Sequence, residues 1–304
     1  MSKLRVNEYI LKSPKIKENK TILNISDLHG NIEALKLIKK YLKEYKIDFI
    51  TMPGDITDNL VQPGIEEFTD ELKTIEYKNY IALGNHDVSI SARPEDTIID
   101  LNEYPLFKKM KDFSNGKFFT KDFSHIQVDN DIDLYVINLP KEYYSTEDLY
   151  GKKEVKKSLK ECLSNIDDQV NKDKFNILLI HSPNGLVDKN NIINNDFINN
   201  INLILSGHNH GGLLPPFFQD IFNNNRGLVG AYEKLFLKPA YGFITNNDTT
   251  LFVSNGVTKI SDRSPFKFIH PFLKIFYLPE IDLIHMINSD NHELKLENRK
   301  IYKL

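Results

Sequence analysis

The chain has 304 residues, of which 40% are hydrophobic and 27% charged, with a formal net charge of -3 and a pI of about 6.3. That is a globular balance, long enough to bury a sizeable core, and it lacks the basic excess of a general nucleic-acid binder. A single cysteine, Cys162, rules out an intrachain disulfide framework, and neither the polar first 20 residues nor any apolar run near the ~18 residues of a membrane span reads as a signal or anchor. The expectation is a soluble, cytoplasmic protein, with peripheral membrane contact left open.

In chain order, residues 21–26 (TILNIS) are a short apolar run rich in β-formers and read as a buried strand ending at Asp27. Residues 31–45 carry Ile32, Leu35, Ile38 and Leu42 at helical spacing. A second strand spans 47–52, a second helix 65–75 and a third strand 79–84. Strand–helix–strand–helix–strand is the pattern of a largely parallel sheet covered by helices. Residues 88–131 are polar and less regular, and read as an insertion near the mouth of the sheet. Strands resume at 133–138, 175–180 and 201–206, with an amphipathic helix at 154–166 and a hairpin over 241–256 that turns near 246–248. One domain over 1–260 is expected, with 261–304, rich in prolines, as an appendage packed on it.

Polar residues fall where these strands end. The first strand runs into Asp27-Leu28-His29, the second into Gly54-Asp55-Ile56-Thr57-Asp58, and the third into Gly84-Asn85-His86-Asp87. The later strands end at His181 and at Gly207-His208-Asn209-His210. Taken singly, each block reads as a turn or a helix cap. Five of them at the same kind of position, in a chain with nine histidines, aim oxygen and nitrogen donors at one sheet edge, where open α/β sheets bind ligands. Imidazole and carboxylate without thiolate suit divalent metals. Asp55 is central in the order of segments and fits a bridge between two ions, Asp27 and His29 can turn toward one of them, and Asn85 adds a neutral oxygen.

The blocks DLHG, GDITD, GNHD, the His181 of LLIHSPNG, and GHNHGG resemble, in order, the calcineurin-like metallophosphoesterases over roughly 21–212. The resemblance implies an α/β fold, a four-layer αββα sandwich with mixed sheets. It implies one ion held by Asp27, His29, Asp55 and His210 and a second by Asp55, Asn85, His181 and His208. His86 would meet the substrate phosphate and assist the leaving group, with Asp58 or Asp87 orienting it. Asp58 stands where purple acid phosphatases carry a tyrosine ligand, and GNHD replaces the Gly-Asn-His-Glu of protein serine/threonine phosphatases. GHNHGG, LLPPFF, LFVSNGV and LPEIDLI are similar to a bacterial branch of phosphodiesterases.

The expected activity is hydrolysis of phosphate esters, diesters first, by a hydroxide bridging two divalent ions. Manganese is the first expectation for those ions, with iron, zinc, magnesium or nickel as alternatives. Competing readings are a phosphomonoesterase, a nucleotide-sugar or lipid-linked pyrophosphatase, a nuclease, and a scaffold without activity. The complete donor set weighs against the scaffold and the net charge against the nuclease. Phe217, Phe218 and Phe222 follow the last block; they read either as an apolar lip for substrate or, preferably, as loop packing.

Overall fold

The computed structural model describes residues 3–89, 101–110, 113, 115–139, 141–144, 159, 163, 166, 169–187, 198, 200–214, 218, 219, 221, 225–228, 238–257 and 278–303. Along them run β1 (Lys3–Ser13), β2 (Lys20–Asn24), α1 (Ile32–Glu44), β3 (Phe49–Met52), α2 (Ile65–Lys73) and β4 (Lys78–Ile81). Next come α3 (Pro105–Met110), β5 (Gly116–Phe118), β6 (Phe123–Gln127), β7 (Ile132–Ile137), α4 (Lys141–Tyr144), β8 (Phe175–Ile180) and β9 (Leu203–Ser206). The last are β10 (Gly242–Asn246), β11 (Thr249–Val253), β12 (Glu280–Asn288) and β13 (Glu293–Lys303).

These strands build two mixed sheets. One has seven strands in the order β13-β1-β12-β2-β3-β4-β5, and the other six in the order β10-β11-β9-β8-β7-β6. Within them β2, β3, β4 and β5 are mutually parallel, as are β7, β8, β9 and β11. Parallel strands are covered on both faces and so need unbroken apolar runs. β3 and β8 comply, with every residue buried.

Three apolar layers order the elements. Between the sheets, Tyr9, Ile22, Phe49 and Tyr80 of the first meet Leu134, Ile177, Leu205 and Phe252 of the second. Outside the first sheet, Leu35 and Ile38 of α1 and Phe68 and Leu72 of α2 pack on Leu23, Ile50 and Ile81. Outside the second, Tyr143, Leu159, Leu163 and Ile198 cover Leu178 and Ile204. The result is the four-layer sandwich that the resemblance implied. α1 starts where Asn31 accepts a hydrogen bond from the Ala34 amide at 3.2 Å, with Glu33 in its first turn and Lys43 in its last, both favourable to the helix dipole.

Several elements lie where no strand was expected. The polar N-terminal stretch forms β1, which pairs with β12 in parallel and β13 in antiparallel register. Polar residues of β1 are matched across the pair, Arg5 with Glu280 and Asn7 with Asp282. The described part of the expected appendage supplies β12 and β13, and β12 is an interior strand between β1 and β2. The described part of 88–131 carries α3, the edge strand β5 and the edge strand β6. Of the expected helix 154–166 only Leu159, Leu163 and Ile166 are described, all helical and buried; Cys162, like 90–100 of the insertion and 258–277 of the tail, lies outside the described residues. No helix among the described residues is long and apolar enough to cross a membrane.

Candidate metal centre

The carboxyl ends of β2, β3 and β4 from one sheet and of β8 and β9 from the other converge on the ten residues singled out in the sequence. Asp27, His29 and His210 form one group whose ligand atoms lie within 4.8 Å of one another; Asp55, His181 and His208 form a second, and His29, Asp55 and His86 a third. Asp55 thus belongs to two groups. Its Oδ2 lies 3.1 Å from His181 Nε2 and 3.8 Å from His29 Nε2. Asp27 Oδ1 lies 4.0 Å from His29 Nε2 and 3.8 Å from His210 Nδ1. Asp27, Asp55, Asn85, His181 and His208 are buried, whereas the His29, His86 and His210 side chains keep 14%, 22% and 27% of their surface exposed. The site therefore opens to solvent on one side.

The backbone is bent to achieve this. Asp27, His29, Asp55, His208 and His210 have φ of 54°, 46°, 52°, 70° and 46°, and they are five of the eight non-glycine residues with positive φ among the described residues. Such conformations cost on the order of 1 kcal/mol each and persist only where the surroundings over-determine them. Part of that constraint is visible. The His208 amide donates to both carboxylate oxygens of Asp27, at 3.1 and 3.3 Å, and Ser26 Oγ donates to Asp27 Oδ2 at 2.5 Å. Gly207 permits this approach, since a Cβ there would stand 1.8 Å from Ser26 Oγ and 2.3 Å from Asp27 Oδ2.

Charges in the site lean on one another. Burial favours the neutral acid at Asp55, but His181 and His86 override it and hold the carboxyl well below its usual range. Burial likewise opposes charge on His181, and Asp55 overrides it, lifting the imidazole to about 9. Burial dominates at His29 and His208, which are held well below 6.5. Neutral imidazoles are the form that a cation binds.

Do these residues fit a metal? Both ring nitrogens of His29 and the buried Oδ1 of Asn85 have no hydrogen-bond partner among the described residues. Buried polar atoms left so are costly unless something else satisfies them. His181 Nδ1 lies 3.1 Å from the Pro53 carbonyl and donates to it, which turns Nε2 toward Asp55, the arrangement seen in metal-binding histidines. Nitrogen and oxygen donors around shared carboxylates fit divalent cations.

The three residues expected near the leaving group differ in placement. His86 Nδ1 donates to the Asp58 carbonyl at 2.8 Å, and its amide donates to Asp55 Oδ1 at 2.9 Å, so Nε2 is left for proton exchange. Burial lowers the affinity of His86 for its proton, and Asp55 and Asp58 more than restore it. Asp58 Oδ1 is 3.7 Å from both His86 Nδ1 and His29 Nδ1, with its side chain 41% exposed. Asp87 is buried and points elsewhere. It accepts from the Thr57 amide at 2.9 Å, Thr57 Oγ1 at 3.1 Å and the Gly84 amide at 2.9 Å, which ties the loops after β3 and β4 together. Burial, helped by Asp55, raises its pKa to about 6.

One neighbour was missed in the sequence. Tyr144 of α4 is buried with its ring 5.5 Å from His208 and 6.2 Å from His181. The available signal was its place just past the end of β7, the parallel neighbour of β8. Of the aromatic trio after the last block, Phe217 and Phe222 lie outside the described residues, and Phe218 is 44% exposed.

A two-sheet α/β sandwich with acid and imidazole donors gathered at its strand ends is the class that fold and site define. The sequence pattern of the calcineurin-like phosphoesterases (Metallophos) matches residues 20–212, and the chain belongs to that family. A Caenorhabditis elegans protein named as a metallophosphoesterase is 27% identical over 281 residues, 88% of this chain and 48% of its own length. The chain thus spans about half the length of that curated relative. Among solved structures, the phosphopantetheinyl hydrolase of Mycobacterium tuberculosis is 12% identical, with 83% of this chain and 95% of that one covered and a TM-score of 0.43. An archaeal phosphodiesterase is 10% identical, with 78% and 84% covered and a TM-score of 0.37.

Proposed function

We propose that the protein is a metal-dependent phosphoester hydrolase with a two-cation centre, manganese being the first candidate, acting on diesters before monoesters. The observation that carries this reading is the sharing of Asp55 between two donor groups, next to a buried Asn85 oxygen and His29 nitrogens that lack a hydrogen-bond partner among the described residues. In this reading Asp27, His29, Asp55 and His210 hold one ion, and Asp55, Asn85, His181 and His208 hold the other. Divalent cations bound there supply Lewis acidity toward water and the phosphoryl oxygens.

The chain's own residues do the rest. His86, fixed through Nδ1 by the Asp58 carbonyl, presents Nε2 to the phosphate and gives its proton to the leaving oxygen. The carboxylates of Asp55 and Asp58 favour the protonated ring, which suits donation near neutral pH. Asp58 orients that ring from the solvent side. Asp87 acts at a distance, by fixing the loop that carries Asn85 and His86. The diester preference rests on the likeness of GHNHGG and the segments after it to bacterial phosphodiesterases. One cysteine in 304 residues suits a reducing cytoplasm.

The test is a turnover screen of bis(p-nitrophenyl) phosphate, p-nitrophenyl phosphate, cyclic nucleotides and nucleotide-sugar pyrophosphates, each with manganese, magnesium, zinc and iron. Metal-activated cleavage that favours a diester is the expected result. Activity indifferent to metal and to chelator contradicts the centre, and a monoester preference contradicts the substrate class.

A further inference from the structure

We propose that Asn255 is a positioning residue for the cation group of Asp27, His29 and His210, fastening the His210 turn to a buried acid pair on β12. The inference rests on the two-cation reading above.

Asn255 lies in the loop after β11, and its amide is spoken for at both ends. Its Nδ2 donates to Glu280 Oε1 at 2.7 Å and to Gln219 Oε1 at 3.0 Å, and its Oδ1 accepts from Gln219 Nε2 at 3.1 Å. Gln219 Nε2 also donates to the Leu214 carbonyl at 2.9 Å, at the far end of the ligand turn. Behind Asn255, Glu280 is 2% exposed and paired with Arg5 Nη1 at 3.2 Å. Next to it, Asp282 accepts from Asn7 Nδ2 at 3.0 Å and Ser254 Oγ at 2.6 Å. A hydrogen bond to a buried ionised carboxylate is stronger and more directional than a neutral one.

This loop touches the cation group from two directions. Gly211, next to His210, lies against Asn255, where a Cβ would stand 2.5 Å from Asn255 Oδ1. Gly256 lies against Asp27, where a Cβ would stand 2.8 Å from Asp27 Cβ. The Val257 amide donates to the Ser26 carbonyl at 2.9 Å. The turn so fastened is left-handed throughout: His210, Gly211 and Gly212 follow one another at φ of 46°, 64° and 59°, and only His210 bears the steric cost of a side chain there. His210 holds its left-handed φ only where the surroundings fix it, and the amide pair of Asn255 and Gln219 ties down the turn that follows it. Among the described residues the side-chain bonds of Asn255 run to Gln219 and Glu280, and its loop meets Gly211 and Asp27, so its influence should fall first on the cation group of Asp27, His29 and His210.

The experiment uses the full chain and manganese as the probe, read by equilibrium dialysis and by electron paramagnetic resonance of the bound ions. Asn255→Asp sets a carboxylate against Glu280. In Asn255→Asp/Glu280→Gln the amide now at 280 can donate to the carboxylate now at 255, which restores that one bond while Arg5 loses its carboxylate partner. The parent should bind two ions. Asn255→Asp should weaken one of them by about 10- to 100-fold and leave the other near its parental affinity, turning a coupled-pair signal into that of an isolated ion. The double variant should recover part of the lost affinity. Asn255→Ala, which removes the bonds without adding charge, should give the same one-sided loss at smaller size, and it replaces Asn255→Asp if circular dichroism shows that variant unfolded. Two ions of unchanged affinity in Asn255→Asp or Asn255→Ala, or equal weakening of both, would overturn the proposal while leaving the two-cation reading intact. A parent that binds no divalent ion would overturn both.

Discussion

At Asp55 a single carboxylate serves three imidazole-bearing neighbours. Oδ1 accepts from the His86 amide, while Oδ2 faces His181 at 3.1 Å and His29 at 3.8 Å. A neutral amide in its place cannot neutralise two cations. Asp55→Asn is therefore expected to retain at most one ion per chain on dialysis and to show no measurable turnover; full metal content and rate would refute the bridging role. His86 is a different case, since its Nδ1 is committed to the Asp58 carbonyl and its Nε2 is left for a proton. His86→Ala should keep both ions yet slow an alkyl diester by about 100-fold or more, and a nitrophenyl diester distinctly less, because a good leaving group needs no acid. Equal slowing of both would dismiss the acid role. The residues gathered in the site were legible as a group because five separate blocks set polar donors at strand ends. Tyr144 and Asn255 were not: a tyrosine in the short helix α4 and an asparagine in a loop show what they touch only once the fold brings them to His208 and Gly211.

Elements buried on both faces were the readable ones. The expected strands at 47–52 and 175–180 correspond to β3 and β8, where every residue is buried and the apolar run is unbroken. α1 and α2 follow from apolar spacing on one face, as Leu35 and Ile38 of α1 and Phe68 and Leu72 of α2 confirm by packing on the first sheet. β1 escaped notice because Arg5, Asn7 and Glu8 interrupt its apolar pattern. Its polar residues are satisfied by Glu280 and Asp282, 275 positions away, which no local reading reveals. Between the sheets, the rings of Tyr9 in β1 and Phe252 in β11 meet edge to face at 4.9 Å. Phe252→Ala should cost about 3–5 kcal/mol of stability in urea unfolding, through the cavity it leaves. A loss under about 1 kcal/mol would mean that the inter-sheet layer collapses to fill the gap.

Over the whole molecule, the first and the last described strands share the sheet that carries three of the ligand loops. β12 lies between β1 and β2, so we propose that residues 1–260 and the strands after them form one cooperative domain. Its buried acid pair makes stability depend on pH. Burial, reinforced by Glu280, raises Asp282 from 3.8 to about 7, against hydrogen bonds from Ser254, Asn7 and Asn24 that favour its charge. Between these values the folded chain holds a proton that the unfolded chain releases, so this group's contribution to stability falls as pH rises from about 4 to 7. Asp282→Asn should flatten the thermal midpoint between pH 5 and 7; an unchanged slope would contradict this origin. The central claim, a paired-cation centre, is tested most directly by anomalous diffraction from manganese-soaked crystals grown without chelator. The expected map has two peaks about 3.5–4 Å apart, one among Asp27, His29 and His210, the other among Asn85, His181 and His208, with Asp55 touching both. A map with no peak among these side chains would contradict it.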